Sequence, residues 1–477
     1  MSVGFRTFNP SQNTWNPEEY FPTSEAELAE KLNSISLAQL TYTSVSVSTR
    51  ADFLKAIHAE LERKKETVKP FYLNESGLSN QRFETEWQRT LDTVKIFEQY
   101  LRTDYLRETS EEFPADSTTI KKLTYPIGPV LVLGSSNFPL AYSTAGGDTI
   151  AALAAGCCVL VKAHAMHAGT SMIVAECIDE ARKAMNLPEG IFTHVLDDGF
   201  QHAQALCLDE RIQAVGFTGS FKGGKALIDL ANSRKNPIPV FAEMGSVNPV
   251  VILNDLSSEK QMSIAEKLAS SICNDAGQFC TKPGMIFIPE GQMGEHFRGL
   301  LKQFVAETMA VPMLHPNIHG AFEERKRKIS STQGVQFSTS SREQIGIEGQ
   351  WALAETNVKT LTQNQHLQEE VFGPFSLLVT YSSEEELFLG LNTLEGQLTG
   401  SIFYENPSDL VNKCIETLAQ KAGRILLNDV PTGVRVTQTM QHGGPFPASS
   451  DARFTAVGTD SMKRFQKYVS IQQKNRT

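Results

Sequence analysis

The chain has few cysteines, no excess of basic residues and no long apolar run. Its seven cysteines among 477 residues are odd in number and widely scattered, and none forms a Cys-x-x-Cys pair. This pattern argues against a disulfide scaffold and against a zinc site. We therefore expect reduced thiols, a cytoplasmic location and no bound metal.

Charge and hydropathy exclude further classes of protein. Lysine and arginine total 44 against 54 aspartate and glutamate, a formal net charge of -10, which argues against a nucleic-acid partner. Residues Met1–Trp15 lack a basic segment followed by an apolar core, so no secretory signal is expected. The longest apolar run, Ile150–Val161, is short for a membrane span and predicts a buried helix running into a buried strand. We expect no membrane association.

The order of apolar segments indicates an α/β protein. A length of 477 residues predicts two or three domains. Residues 24–97 show helical spacing of apolar positions, and short apolar strands alternate with helical segments over 129–250 and again over 268–428. Such alternation predicts parallel sheets covered by helices.

Cys280 is the first candidate for chemistry. A lone cysteine is usually a small buried hydrophobe. Here Gly277, Gln278 and Thr281 predict a loop around it, whereas Cys273 lies in a helical pattern. A reactive thiolate requires such a partly exposed setting, rich in hydrogen-bond donors.

Glu243 and Asn137 both follow apolar strands, where open α/β sheets bind ligands. Glu243 comes after Pro239–Ala242, and burial there would raise its pKa toward the range of a general base. Most glutamates, however, are solvated surface charges. Asn137 comes after Val130–Leu133 and is either a turn residue or an amide donor to an oxyanion. Spacing alone does not decide between these interpretations.

Two further segments suit a nucleotide. The loop Phe217–Ala226 superficially matches a P-loop through Gly219 and Gly224, but Ala226 stands where that loop needs a hydroxyl. We therefore interpret it as a helix N-terminus near a dinucleotide phosphate. Glu370, in Glu-Glu-Val-Phe-Gly-Pro, is either a charged helix end or a carboxylate that binds ribose hydroxyls.

In this order the segments resemble the aldehyde dehydrogenase superfamily, from about Glu75 to near the C-terminus. The matching pieces are SNFP around Asn137, VK at Val161–Lys162, FTGS at Phe217–Ser220, the Glu243 segment, GQFCT at Gly277–Thr281 and EEVFGP at Glu369–Pro374. Any one of them is a weak signal, but six in the family's order are specific.

The resemblance implies a fold and an assembly. It predicts a Rossmann-like cofactor domain over 1–115 and 130–242 and an α/β catalytic domain over 243–440. A small oligomerisation sheet would combine 116–129 with 455–477, giving a homodimer or homotetramer.

The resemblance also implies roles for single residues. Cys280 would attack an aldehyde, with the oxyanion held by the Asn137 amide and the Cys280 backbone N–H, and Glu243 would activate the hydrolytic water. Cofactor contacts would come from the residues that match the family's nucleotide segments: Lys162, His164, Gly219, Ser220, Glu370 and Phe372.

Two departures from the family pattern are informative. Members that prefer NAD place a glutamate where this chain has Ala165, so we expect NADP to be accepted and preferred, with NAD possible. His164, Arg182 and Lys183 are candidate partners of the 2′-phosphate, although Arg182 and Lys183 would equally suit an exposed helix face.

The second departure is Gln441–Ser449. With Ser135–Asn137 and Lys162–His164 it is similar to the α-ketoglutaric semialdehyde (2,5-dioxopentanoate) dehydrogenases, and NADP-linked fatty-aldehyde members share it. Arg435 is either the partner of a substrate carboxylate or a surface arginine. The other candidates for substrate contacts are aromatic: Phe138, Phe279 and Phe446.

Other activities make different demands on these residues. A long-chain aldehyde is the main alternative substrate. A CoA-acylating dehydrogenase typically lacks the glutamate found at Glu243, and a catalytically silent scaffold would have lost Cys280, Glu243 or Asn137.

Overall fold

The computed structural model describes residues 3–105, 108–112 and 118–474. In chain order the α-helices are α1 (Glu25–Tyr42), α2 (Val47–Ser76), α3 (Asn80–Thr103), α4 (Gly147–Ala155), α5 (Ala168–Ala184), α6 (Gln201–Leu208), α7 (Phe221–Ser233), α8 (Ser258–Cys273), α9 (Gln292–Glu307), α10 (Pro316–Ser330), α11 (Val358–Gln363), α12 (Glu384–Thr393) and α13 (Asp409–Ala419). The strands are β1 (Phe8–Asn9), β2 (Thr14–Trp15), β3 (Glu108–Glu112), β4 (Thr118–Pro126), β5 (Val130–Leu133), β6 (Val159–Lys162), β7 (Phe192–Val195), β8 (Ala214–Thr218), β9 (Val240–Glu243), β10 (Pro249–Ile252), β11 (Met285–Pro289), β12 (Val311–Pro312), β13 (Gln336–Thr339), β14 (Glu348–Gly349), β15 (Ala352–Asn357), β16 (Phe375–Tyr381), β17 (Gln397–Phe403), β18 (Ala422–Leu427) and β19 (Gln466–Lys474).

The N-terminal region is helical, as the apolar spacing predicts. Ser24 begins α1 with a capping box in which its side chain accepts from the Glu27 backbone while the Glu27 side chain accepts from the Ser24 backbone. Ser46 and Ser79 cap α2 and α3 with one hydrogen bond each, accepting from the backbone N–H of Thr49 and Arg82, and Gly77 ends α2 in the left-handed conformation at φ +65°. α3 passes the predicted end at 97 and continues to Thr103.

The first sheet is parallel, with strand order β7-β6-β5-β8-β9. Every residue of β5, β6 and β9 is buried, which explains why these strands read as continuous apolar runs. Helix α4 leads into β6, so the run Ile150–Val161 is a buried helix followed by a buried strand, as predicted. Glu243 ends β9 and lies at the carboxyl edge of this sheet.

The second sheet has the order β13-β15-β16-β11-β10-β17-β18 and is parallel except for β13, which runs antiparallel to β15. β10 and β15 were not predicted. β10 follows the predicted domain boundary at 242/243 and extends past the end of the first predicted alternation at 250, and β15 (Ala-Leu-Ala-Glu-Thr-Asn) contains alanine and glutamate, which have low strand propensity. Its burial against β16 stabilises it despite that composition.

The third sheet joins distant parts of the chain in the order β19-β4-β3. β19 pairs antiparallel with β4, with Tyr468 opposite Thr124, which is the predicted pairing of the tail with 118–125. The predicted boundary at 115 does not match this sheet, because β3 (Glu108–Glu112) belongs to it. Met462 and Phe465, before β19, pack into the core of the first sheet. Residues 113–117 and 475–477 of the predicted segments lie outside the described residues.

Over the described ranges, no helix has both the length and the apolar character that crossing a membrane requires.

Candidate active site

The Cys280 loop follows α8 through an irregular turn. Asp275 and Ala276 adopt left-handed backbone conformations at φ +46° and +54°. The turn is closely packed, since a Cβ on Gly277 would collide with the backbone of Gly373. The buried Asn248 amide donates to the carbonyls of Cys280 (2.8 Å) and Lys282 (2.9 Å) and so fixes the loop against the second sheet. Sequence analysis did not identify Asn248.

The Cys280 thiol is protonated in this environment. Burial raises its pKa well above the ordinary value, the nearby Glu243 and Glu370 carboxylates raise it further, and the positive charge of Arg89 opposes them. A half-buried thiol near two carboxylates becomes a nucleophile only when a base takes its proton. The predicted donor-rich setting that would stabilise a resting thiolate is therefore not what the structure shows.

Glu243 lies beside this thiol and is in contact with a histidine. Its Oε1 is 2.9 Å from His442 Nε2, and the same nitrogen is 3.8 Å from Cys280 Sγ. Burial would raise the pKa of Glu243, but the neighbouring His442 and Arg464 outweigh burial and the net shift is downward. The prediction of a raised pKa is therefore wrong. The carboxylate is ionised at neutral pH and ready to accept a proton.

His442 was missed as a site residue. The loop 441–450 pairs with the end of β9, where the Met244 N–H donates to Ala448 O (2.8 Å) and the Ser450 N–H donates to Ala242 O (2.9 Å). This pairing carries His442 to Glu243 from about 200 positions away in the sequence, a distance at which no spacing rule applies. The signal in the sequence was that Gln441–Ser449 departs from the family pattern. We interpreted this departure only as evidence for the subfamily.

Asn137 is brought to the same loop. Its side-chain amide donates to the carbonyl of Gln278 (2.8 Å), two residues before Cys280. Arg82 donates to the Asn137 carbonyl (3.2 Å), and its guanidinium lies over the rings of Phe138 (4.2 Å) and Phe279 (4.9 Å). An amide nitrogen has two hydrogens, and within the described residues the second one makes no hydrogen bond. It is available to an oxyanion near Cys280.

On the nucleotide side, β6 and β8 supply a cation and a helix N-terminus. Lys162 is 8% exposed and donates to Gly199 O (3.0 Å); burial lowers its pKa, although Asp197 and Asp198 oppose the shift. Ser220 caps α7 by accepting from the Gly223 N–H (3.2 Å). The first N–H groups of this helix have no partner within the helix, so the site fits a dinucleotide phosphate.

The Gly219 loop joins this phosphate site to the base, because the Gly219 N–H donates to the Glu243 carbonyl (3.0 Å). A dinucleotide bound at the start of α7 would therefore extend toward the reacting groups.

Glu370 approaches from the second sheet. Its carboxylate packs against Gly245, where a Cβ would lie 2.3 Å from Oε2 and would displace the carboxylate. Burial raises the pKa of Glu370 to about 7, opposed by the Lys282 ammonium, whose own pKa burial lowers to about 8. Lys282 donates to Phe375 O (2.6 Å). Phe372 is half-buried beyond Glu370.

The candidate partners of a 2′-phosphate are not brought together. His164 is half-buried, stacks on His167 (5.4 Å between ring centroids) and has a pKa far below its ordinary value because of burial and the nearby cationic groups. Arg182 is buried rather than exposed, and both Arg182 and Lys183 pair with Asp179. They lie near the far end of α5, about 20 Å along its axis from Ala168. Their prediction as phosphate ligands has no structural support.

The candidate substrate residues are also divided. Phe138 and Phe279 pack together at 5.7 Å between ring centroids beside Tyr142 and form an apolar wall near Cys280. Phe446 is 52% exposed and packs against Phe221, the first residue of α7, on the nucleotide side. The Arg435 side chain is exposed and makes no hydrogen bond or ion pair with any described residue.

A protonated thiol beside an ionised carboxylate and an amide donor suits covalent catalysis at a carbonyl carbon. Two parallel sheets meet at that thiol, and one of them offers a helix N-terminus to a dinucleotide. Together the fold and the site define a cysteine-dependent dehydrogenase. The chain belongs to the aldehyde dehydrogenase family, whose model matches residues 4–467.

Individual relatives agree with this assignment. Over 97% of the chain, covering 91% of the relative, it is 36% identical to an alpha-ketoglutaric semialdehyde dehydrogenase of Acinetobacter baylyi. Alpha-ketoglutaric semialdehyde dehydrogenase 2 of Azospirillum brasilense is also 36% identical, over 90% of this chain and 84% of the relative. A solved 1-pyrroline-5-carboxylate dehydrogenase from Thermus with bound NAD has the same fold, with a TM-score of 0.84 at 17% identity, covering 100% of this chain and 91% of that one. The protein is an NAD(P)-dependent aldehyde oxidoreductase.

Proposed function

We propose that this enzyme oxidises α-ketoglutaric semialdehyde to 2-oxoglutarate, with Cys280 as nucleophile and NADP as the preferred cofactor. The observation that carries the proposal is the cluster of Cys280 Sγ, Glu243 and His442, whose reacting atoms lie within 4.8 Å of one another. The substrate is suggested by the two semialdehyde dehydrogenases at 36% identity.

In the first step Cys280 Sγ attacks the aldehyde carbon and its proton passes to Glu243, whose Oε1 is within contact of His442. The aldehyde oxygen becomes an oxyanion. The free hydrogen of the Asn137 amide and the Cys280 backbone N–H, which has no hydrogen-bond partner among the described residues, stabilise that charge.

Bound NAD(P)⁺ would supply the hydride acceptor for the carbon that Cys280 has attacked, and loss of that hydride would leave a thioester on Cys280. Lys162 would hold the adenosine ribose, the Gly219–Ser220 turn with the start of α7 would hold the pyrophosphate, and Glu370 would hold the nicotinamide ribose. The close packing of the Glu370 carboxylate on Gly245 supports the last of these contacts.

Hydrolysis of the thioester requires Glu243 a second time. After releasing the thiol proton, it takes a proton from a water molecule, which attacks the thioester carbon while the Cys280 thiolate leaves. An ionised carboxylate in contact with the site supports water rather than CoA as the acceptor. The acid product then carries one oxygen from water.

The preference for NADP rests on Ala165. Ala165 begins a short 3₁₀ turn directly after His164, and its methyl group brings no negative charge near Lys162. A 2′-phosphate therefore meets no repulsion from this position. His164 is neutral when no phosphate is bound, and a nearby phosphate dianion would raise the pKa of His164. The attraction between the phosphate and a protonated His164 would therefore be strongest at low pH.

Assembly through β19 completes the proposal. β19 lies at the edge of its sheet and exposes Tyr468 (59%), Val469 (37%) and Ile471 (45%). An apolar edge strand favours pairing with a second copy, so we propose a homodimer or a tetramer of such dimers. The seven free cysteines suit a cytoplasmic location.

A substrate panel tests the proposed activity. Short semialdehydes, aromatic aldehydes and long-chain aldehydes are compared by kcat/KM with NADP and with NAD, and products are analysed with and without CoA. We expect the highest kcat/KM for α-ketoglutaric semialdehyde with NADP and a free acid as product. A preference for dodecanal, or an acyl-CoA product, would contradict the proposal.

A further inference from the structure

Arg89 of α3 carries a charge that the protein does not neutralise. Its guanidinium is half-buried and donates to two neutral acceptors, Val434 O (3.0 Å) and Tyr142 Oη (2.6 Å). Among the residues that the structure describes, no carboxylate lies within 4.0 Å of it. Arg82, two turns earlier on the same helix, is by contrast within 3.5 Å of Glu86 and 3.6 Å of Asp275.

Arg424 of β18 is a second half-buried arginine without a close carboxylate partner. One of its terminal nitrogens donates to Pro431 O, and its buried Nε has no hydrogen-bond partner. No described carboxylate comes within 4.0 Å of this guanidinium either. A half-buried cation without a counter-ion is unfavourable unless an anion arrives.

Both arginines interact electrostatically with the Cys280 region. The charge of Arg89 opposes the burial that raises the pKa of Cys280, and Cys280, Tyr142 and the Asp429 carboxylate, which lies beyond 4.0 Å, oppose the burial that lowers the pKa of Arg424. Arg89 and Arg424 also repel each other. Two like charges therefore lie close enough to repel each other, and an anion bound between them would relieve that repulsion.

The walls between these charges and the thiol are aromatic. Arg89 lies 5.1 Å from the centroid of the Tyr142 ring and 5.9 Å from that of Phe138. The Tyr142 ring is 6.3 Å from that of His442, which in turn contacts Cys280. The order of groups from the thiol outward is therefore nucleophile, apolar ring, guanidinium. This order matches a short aldehyde whose far end is a carboxylate.

We propose that Arg89 and Arg424 form the carboxylate subsite of this enzyme and select short aldehydes that carry a carboxylate at the end opposite the aldehyde. The subsite rests on the proposed function and replaces Arg435 as the predicted partner of that carboxylate. An uncharged alkyl chain would leave both guanidiniums unpaired, so the subsite also disfavours fatty aldehydes.

A purely structural role predicts a different result. Both arginines bind carbonyls of the segment 431–434 and could simply hold that segment in place. In that case their removal would impair every aldehyde equally.

The experiment compares α-ketoglutaric semialdehyde with pentanal, which has the same number of carbons and no charge. The measured quantity is the ratio of their kcat/KM values in the wild type, Arg89→Met, Arg89→Lys, Arg424→Met and, as a matched control on the same segment, Arg435→Met. We expect Arg89→Met to lower the ratio about 30-fold, mainly through KM of the semialdehyde, because a charge-assisted bidentate contact is lost. Arg424→Met should lower it about tenfold, Arg89→Lys should restore part of it, and Arg435→Met should leave the ratio unchanged.

The outcomes separate the two proposals. A wild type that does not favour the semialdehyde over pentanal overturns the proposed substrate and the subsite with it. A wild type that favours it, with the same ratio in Arg89→Met and Arg424→Met, overturns the subsite alone. Activity of each variant toward pentanal shows that the protein has folded. As a second readout, glutarate should inhibit the wild type competitively and inhibit Arg89→Met about 30-fold more weakly; equal inhibition would overturn the subsite.

Discussion

Two carboxylates flank the Cys280 thiol, one from each sheet, and burial affects them differently. Both raise the pKa of the thiol. Glu243 is 2.9 Å from His442, and its pKa is lowered despite burial. Burial raises the pKa of Glu370 to about 7. The Lys282 ammonium opposes this rise, but among the described residues it forms no ion pair with Glu370 shorter than 4.0 Å. A polar partner in direct contact with the carboxylate outweighs burial, whereas a more distant ammonium does not.

The difference suits two tasks. An ionised carboxylate accepts a proton at neutral pH, as the chemistry at Cys280 requires. A carboxylate binds hydroxyl groups best when it is ionised. The affinity of a carboxylate that titrates near neutrality for a ribose therefore rises with pH. Substitutions on either side of the thiol test whether this division holds.

Removing each charge should affect different kinetic constants. We expect Glu243→Gln to lower kcat about 10²–10⁴-fold, since a general base is lost. Glu370→Gln should instead raise KM for NADP about tenfold, because charge-assisted hydrogen bonds to the ribose are lost. Steady-state kinetics with saturating aldehyde measures both. Equal effects on kcat would remove the distinction between the two carboxylates.

Replacing His442 should make Glu243 behave like Glu370. In His442→Phe, burial is no longer opposed at close range, so the pKa of Glu243 rises. The carboxylate is then protonated at a higher pH, and the acid limb of the kcat profile moves upward. We expect kcat at pH 7 to fall about tenfold. A pH–rate profile provides the measurement, with Glu370→Gln as the control in which the acid limb stays in place.

Removing Lys282 should have the smallest effect. In Lys282→Met the pKa of Glu370 rises further above about 7, since the opposing ammonium is gone. At pH 7 less carboxylate is ionised, so KM for NADP should increase about fivefold and return toward the wild-type value as the pH rises to 9. Wild-type KM should also fall as the pH rises through 7. A KM independent of pH in both proteins would count against the shifted titration.

The sequence was sufficient for the parts of the site that lie at strand ends. Asn137 follows β5 and Glu243 ends β9, and in both cases a local apolar pattern predicts the position. Cys280 instead lies in a loop after α8, which Gly277, Gln278 and Thr281 predict. The strands of the first sheet were predictable for the same reason, because burial on both faces leaves continuous apolar runs.

The missing parts depend on contacts between distant segments. His442 reaches Glu243 only because loop 441–450 pairs with β9, and Asn248 fixes the Cys280 loop from a residue at φ +48°. Periodicity carries no information about such contacts. The direction of the Glu243 pKa shift failed for the same reason, since it depends on the unseen His442. β15 was missed because burial overrides its low propensity.

The central claim is that Cys280 forms a thioester that Glu243 hydrolyses. A single turnover of the wild type with α-ketoglutaric semialdehyde and NADP, quenched with acid before hydrolysis is complete, tests it directly when it is followed by intact-mass and peptide mass spectrometry. In Glu243→Gln the burst should be slower, because the thiol has lost its base, and the adduct should persist. We predict a burst of one NADPH per subunit and an acyl group on the peptide that contains Cys280, with neither in Cys280→Ser. A burst without an adduct at Cys280, or one that survives in Cys280→Ser, would contradict the claim.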